Sequence, residues 1–163
     1  MLFRSRAYAK QSDFQRAEQS FRRALDIDPS SGLTHYYYGR FLYQARRYER
    51  ASAAFEQAAA WKPSDPWIHY ELGRARHGAG NVADALIAYE RAWAIGQLAD
   101  AANAIGAVHF VAGRRDQART FFTHALQRAP DNLDAQINLC LIDIQEGHVQ
   151  RGLSRLQIGR AHV

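Results

Sequence analysis

The sequence predicts an all-α fold: about five antiparallel helix-turn-helix units stacked as a solenoid and truncated at both ends. Three observations lead there. The 163-residue chain repeats itself at steps of 34, 34, 33 and 34 residues. Each step contains two runs whose apolar positions recur with helical period. Turn residues separate the runs, and a proline closes most steps. A single helical hairpin cannot bury its own apolar face, so a tandem repeat of hairpins implies that neighbours stack on one another.

The columns of the repeat are easy to follow. A small residue recurs at Ala17, Ala51, Ala85, Ala118 and Gly152. Four positions later comes a large apolar residue: Phe21, Phe55, Tyr89, Phe122 and Leu156. A second small residue follows at Ala24, Ala58, Ala92 and Ala125, then a proline at Pro29, Pro63 and Pro130, with Gln97 in its place in the third unit. Earlier in each unit a small residue follows a large one, as in Tyr38-Gly39, Leu72-Gly73, Ile105-Gly106 and Leu139-Cys140. Small side chains let two helices approach closely, and an aromatic side chain fills the space beside them. Proline ends each unit because it cannot continue a helix interior.

The elements follow in order. The first unit is expected to hold a partial helix to Lys10 and a second helix from about Phe14 to Ile27. Later pairs are expected at 33–45 and 48–61, 67–79 and 82–95, 99–112 and 115–128, and 133–146 and 149–156. Gly80, Gly113 and Gly147 mark hairpin turns, where a positive φ is needed at the helix end. Asp65-Pro66 and Asp131-Asn132 read as helix starts. The one-residue deletion lies between Ala92 and Gly106, where the proline is also missing, so an altered joint is expected there. The units are approximately 6–31, 32–65, 66–98, 99–132 and 133–157.

Segments such as HYYYGRFLYQARRYERASAAFEQAAAWKP and HYELGRARHGAGNVADALIAYERAWAI carry these features in the order of the tetratricopeptide repeat, and nearly the whole chain resembles that family. The resemblance implies a right-handed superhelix that serves as a protein-interaction scaffold within a longer protein. It also implies that the first helix of each unit lines a concave groove. By column, the groove positions are Leu33, Tyr36, Arg40, Tyr43 and Gln44, then Trp67, Tyr70, Arg74 and His77. Asn103, Ala107 and Phe110 follow, then Ile137, Leu141 and Ile144. Tyr36, Arg40, Tyr43, Trp67, Tyr70 and Arg74 are the expected partner-binding residues. Arginine beside aromatics suits a protein or peptide bearing acidic or aromatic side chains. Some family members clamp chaperone carboxylates with lysine and asparagine, but the matching columns here hold arginine, tyrosine and alanine. The resemblance leaves a second reading open: a substrate-presenting or dimerising arm of a larger transferase, kinase or transcriptional regulator.

Composition narrows the choices. Hydrophobic residues make up 47% and charged residues 23%, as in an ordinary folded domain with no bilayer-spanning stretch. The net charge is +5, but Lys10 and Lys62 are the only lysines. That skew towards arginine reads as the codon usage of a GC-rich, bacterial genome. The basic residues are interspersed with acids, as in Arg46-Arg47-Tyr48-Glu49-Arg50, so no nucleic-acid partner is expected. One cysteine, Cys140, excludes an internal disulfide. It favours a cytoplasmic setting and leaves the periplasm open. Residues 1–5 and 158–163 break the repeat: Leu2-Phe3-Arg4-Ser5 and Ile158-Gly159-Arg160-Ala161-His162-Val163 translate the two orientations of a common sequencing adapter. The native array is therefore expected at 6–157. Its charge is +3, because Arg4 and Arg160 drop out. An array cut at both ends is expected to self-associate end to end.

No catalytic or cofactor site is expected. The seven histidines form no HExxH and no Cys/His cluster at metal spacing. His35 and His69 share one repeat position and read as packed helix residues. Gly78-Ala79-Gly80 lacks the lysine and preceding strand of a phosphate loop. Cys140 sits in a small-residue column and reads as buried.

Overall fold

The computed structural model describes the backbone of residues 2–160 and the side chains of residues 13–155. The expectation about residues 1–5 and 158–163, and the last member of the aromatic column, Leu156, fall outside the described side chains. Among the described residues there are nine helices and no strand: α1 Leu2–Ile27, α2 Gly32–Gln44, α3 Tyr48–Trp61, α4 Pro66–Gly78, α5 Val82–Gly96, α6 Ala99–Val111, α7 Arg115–Arg128, α8 Leu133–Gln145 and α9 Val149–Arg160. The chain divides into two compact units, Met1–Pro63 with α1 to α3, and Ser64–Val163 with α4 to α9.

In both units the hairpin is built in the same way. Gly39 of α2 faces the ring of Phe55 on α3 so closely that a Cβ would lie 2.9 Å from it. Gly73 of α4 meets Tyr89 of α5 at 2.5 Å, and Gly106 of α6 meets Phe122 of α7 at 2.6 Å. The alanine column sits behind these contacts, with Ala51, Ala85 and Ala118 fully buried. The repeat is therefore a steric lock: an absent side chain on the first helix receives an aromatic ring from the second.

The turns are equally regular. Gly80, Gly113 and Gly147 take φ of +84°, +76° and +84°. At each, the backbone reaches back into the preceding helix: Gly80 N donates to the His77 carbonyl (2.9 Å) and Asn81 N to the Arg76 carbonyl (2.9 Å). The first complete hairpin has no glycine there. Arg46 occupies the same column and adopts φ +58°. A non-glycine residue pays about 1 kcal/mol or more for this conformation, and the packing of α3 on α2 offsets it. Asp65 caps α4 through Trp67 N (3.0 Å) with Pro66 at the first helical position, and Asn132 caps α8 through Ala135 N (2.9 Å). The joint between α5 and α6 is indeed altered. Only Gln97 and Leu98 separate these helices, with Gln97 in the left-handed region, whereas four residues separate α7 from α8.

One expectation fails. The first unit was expected to break near residues 11–13, but α1 is a single helix of 26 residues. The stretch contains neither glycine nor proline. Ser12 stands in the column held by Arg46, Gly80, Gly113 and Gly147, and no left-handed residue interrupts the helix there. Without a helix-ending residue, continued hydrogen bonding is the default.

Unit 2 also contains a buried ion network. Asp143 of α8 is fully buried. Its Oδ1 accepts from Arg119 Nη1 of α7 and its Oδ2 from Arg155 Nε of α9, both at 2.7 Å. Arg119 Nη2 also donates to Glu146 (2.6 Å), and Arg151 Nε lies 3.7 Å from Asp143. Burial alone would raise the Asp143 pKa, but the hydrogen bonds and charges of Arg119 and Arg155 outweigh it and hold the carboxyl below its ordinary range. In unit 1, Glu18 of α1 accepts from Arg50, Tyr38 and Arg22, and the Arg50 hydrogen bond leads in lowering its pKa.

Candidate interaction surface

The six expected binding residues fall on α2 and α4. On α2, Tyr36, Arg40 and Tyr43 are spaced by four and three residues, which places them on one helix face. Tyr36 packs edge-on against Phe55 of α3, with ring centroids 6.0 Å apart. The Arg40 guanidinium lies 5.8 Å from the centre of the Tyr36 ring. Tyr43 meets Tyr48 across the turn at 5.4 Å.

On α4 the arrangement recurs. Tyr70 leans on Tyr89 of α5 at 5.9 Å, and the Arg74 guanidinium stands 5.8 Å from the Tyr70 ring. Trp67, half-exposed, meets Tyr70 edge-on at 5.9 Å. The two steps differ in one respect. Arg74 Nη1 donates to Glu71 at 3.1 and 3.3 Å, whereas the residue three positions before Arg40 is Tyr37. In both, the ring that caps the hairpin core also seats a tyrosine, and that tyrosine carries the arginine. An arginine stacked on an aromatic face is pre-organised and keeps planar N–H donors for a carboxylate.

Further along unit 2 the same columns turn apolar. Asn103 accepts from Asn138 Nδ2 (3.1 Å), Phe110 packs on the cluster around Phe122, and α8 exposes Leu133, Ile137, Leu141 and Ile144. The histidines have local roles. His35 Nε2 is 2.9 Å from the Pro29 carbonyl, and Gln136, in the same column, donates to the Pro130 carbonyl at 2.8 Å. His69 is buried on α4. His109 stacks on Phe121 at 5.7 Å and accepts from Arg114 Nε at 2.8 Å. Desolvation leads in lowering the His109 pKa, with the Arg114 charge adding to it. Among the described residues no cluster of histidine, cysteine or carboxylates is arranged to hold a metal, and no helix is long and apolar enough to cross a membrane. Cys140 is buried.

Sequence reasoning missed Asp143 and its arginines. A signal was present: the column reading Leu42, Arg76, His109 and Asp143 changes polarity along the chain. Nothing in the sequence says that Arg119 and Arg155 converge on its last member.

This combination of locked hairpins and first-helix faces defines a helical-repeat interaction module. Tetratricopeptide repeat models match residues 4–66 and 42–108. The chain belongs to the tetratricopeptide repeat family. Among solved structures, it is similar to MamA, at 19% identity over 94% of this chain and 90% of that one, with a TM-score of 0.82. It also resembles YrrB, described as a TPR protein with an unusual peptide-binding site, at 21% identity over 93% of this chain and 78% of that one, with a TM-score of 0.71. A third likeness is the first TPR of Spaghetti (RPAP3) bound to the HSP90 peptide SRMEEVD, at 19% identity over 74% of this chain and 96% of that one, with a TM-score of 0.67. No curated protein sequence matches the chain.

Proposed function

We propose that this chain is a non-catalytic scaffold that binds protein segments carrying acidic and aromatic side chains, using Tyr36, Arg40 and Tyr43 on α2 and Trp67, Tyr70 and Arg74 on α4. The observation that carries the reading is the recurrence of the arginine-on-tyrosine stack, at 5.8 Å in both helices. A packing role needs only the tyrosine against the core ring; the arginine adds a cation, exposed at Arg40 and half-buried beside Glu71 at Arg74, next to half-buried tyrosines and the half-exposed Trp67, the composition of binding hot spots. The peptide named with the RPAP3 structure is acidic, which fits a family surface that reads carboxylates.

The test is an array of extended peptides in which acidic and aromatic residues are varied independently. The wild-type chain should retain peptides that hold both. Arg40→Glu combined with Arg74→Glu should weaken that retention about tenfold or more, with unchanged helical circular dichroism. Equal retention by the double variant would refute the assignment.

A further inference from the structure

The two arginine-on-tyrosine steps share a geometry and differ in charge. In both, the guanidinium stands 5.8 Å from its tyrosine ring. The column three positions before the arginine separates them: it holds Tyr37 on α2 and Glu71 on α4. Residues three apart on a helix are neighbours, so this column decides what the arginine meets on its own helix.

On α4 the cation is already answered. The Glu71 side chain is 14% exposed, and both its oxygens accept from Arg74 Nη1, at 3.1 and 3.3 Å. A second carboxylate arriving at Arg74 would come close to Glu71, and like charges at short range repel. Arg76, the other arginine of α4, donates to the Asp84 carbonyl at 3.3 Å. The uncharged part of this face is Tyr70 with the half-exposed Trp67, edge-on at 5.9 Å.

On α2 no acid answers the cation. The helix contains neither aspartate nor glutamate, and among the described residues no carboxylate pairs with the exposed Arg40. Residues 1–12 contain no acid either. Tyr37 is half-exposed and meets Tyr36 edge-on at 5.4 Å. An incoming carboxylate therefore finds a stacked guanidinium and no competing charge.

We propose that the two steps read different groups. Arg40, on Tyr36, takes the partner's carboxylate. Trp67 and Tyr70 take its aromatic side chain, and Glu71 turns carboxylates away from Arg74. Specificity of this kind comes from a built-in repulsion as much as from an attraction. The division rests on the binding role proposed above for these residues and names the chemistry that each helix supplies.

The test is fluorescence anisotropy with two labelled glycine–serine peptides, one carrying glutamates and one carrying tryptophans. Glu71→Gln keeps the size of the side chain and removes its charge. It should strengthen binding of the glutamate peptide several-fold, because Arg74 then faces no competing carboxylate; a purely supporting role for Glu71 would weaken binding instead. Arg40→Gln should weaken the glutamate peptide about tenfold, a larger loss than Arg74→Gln causes. Adding Glu71→Gln to Arg40→Gln should restore part of that loss through Arg74. For the tryptophan peptide the order reverses, with Trp67→Ala costing more than Arg40→Gln. Every variant should keep its helical circular dichroism. Equal losses from the two arginine variants, with no gain from Glu71→Gln, overturn the division and leave the binding role standing. A wild-type chain that binds neither peptide, or a glutamate peptide indifferent to both arginines, overturns the binding role along with it.

Discussion

Two hairpins of the second unit, α4/α5 and α8/α9, occupy equivalent places in the repeat and are held by different forces. In α4/α5 the contact is steric, with Gly73 receiving Tyr89 over a fully buried Ala85. In α8/α9 the volumes are exchanged. The first helix carries Cys140 where the others have glycine, and the second carries Gly152 where the others have alanine; a Cβ on Gly152 would lie 3.0 Å from the Cys140 carbonyl oxygen. Electrostatics adds to this contact, because Asp143 ties α8 to Arg119 on α7 and Arg155 on α9. One backbone arrangement is thus reached through packing in one place and through buried charge in another, and the two should fail under different conditions.

The largest effect is expected from breaking the charged lock. Asp143→Ala leaves Arg119 and Arg155 without their buried partner. These guanidiniums are 24% and 30% exposed, which lets water soften the loss. The cost should be about 3 kcal/mol, at the lower end for a broken buried pair. Urea denaturation measures it, and an unchanged midpoint would show that the network adds nothing to the docking of α9. Next in size is the steric lock. Gly73→Leu forces a side chain into the Tyr89 ring, which a Cβ alone would approach to 2.5 Å. Overpacking of this kind should cost about 2 kcal/mol, read from the same denaturation midpoint.

The smallest effect is the response to pH, which sharpens the contrast. The folded pKa of Asp143 lies below its unfolded value, so its contribution is present above about pH 3.9 and is lost as pH falls through the folded value. His109 is also depressed. Its contribution is complete above about pH 6.5 and is lost as protonation becomes forced at lower pH. Thermal melts from neutral to strongly acidic pH should therefore show a mild loss that His109→Phe removes, and a later loss that Asp143→Ala removes. Melts in which neither variant alters the acid limb would contradict the assignment.

The repeat columns were legible because they encode short-range physics. Helical periodicity, a glycine able to take positive φ, and a proline that stops a helix act over a few residues and leave a mark at each recurrence. The small residue facing an aromatic was legible as well, since both belong to one hairpin. Arg46 shows the limit: its left-handed conformation leaves no glycine to find, and it is held by α3 packing back onto α2. The straight course of α1 shows the converse. The columns pointed to a turn at Ser12, but nothing local enforces one.

The sequence by itself determined the all-α class, the hairpin as the repeating unit, the shortened α5–α6 joint and the helix faces on which Tyr36, Arg40, Tyr70 and Arg74 stand. Tertiary structure alone decided that both arginines stack on their tyrosines, and that Asp143 gathers Arg119 and Arg155 from 24 and 12 residues away. The division has a physical cause. Helices and turns follow from neighbours along the chain, whereas a buried charge depends on which distant residues the fold brings against it.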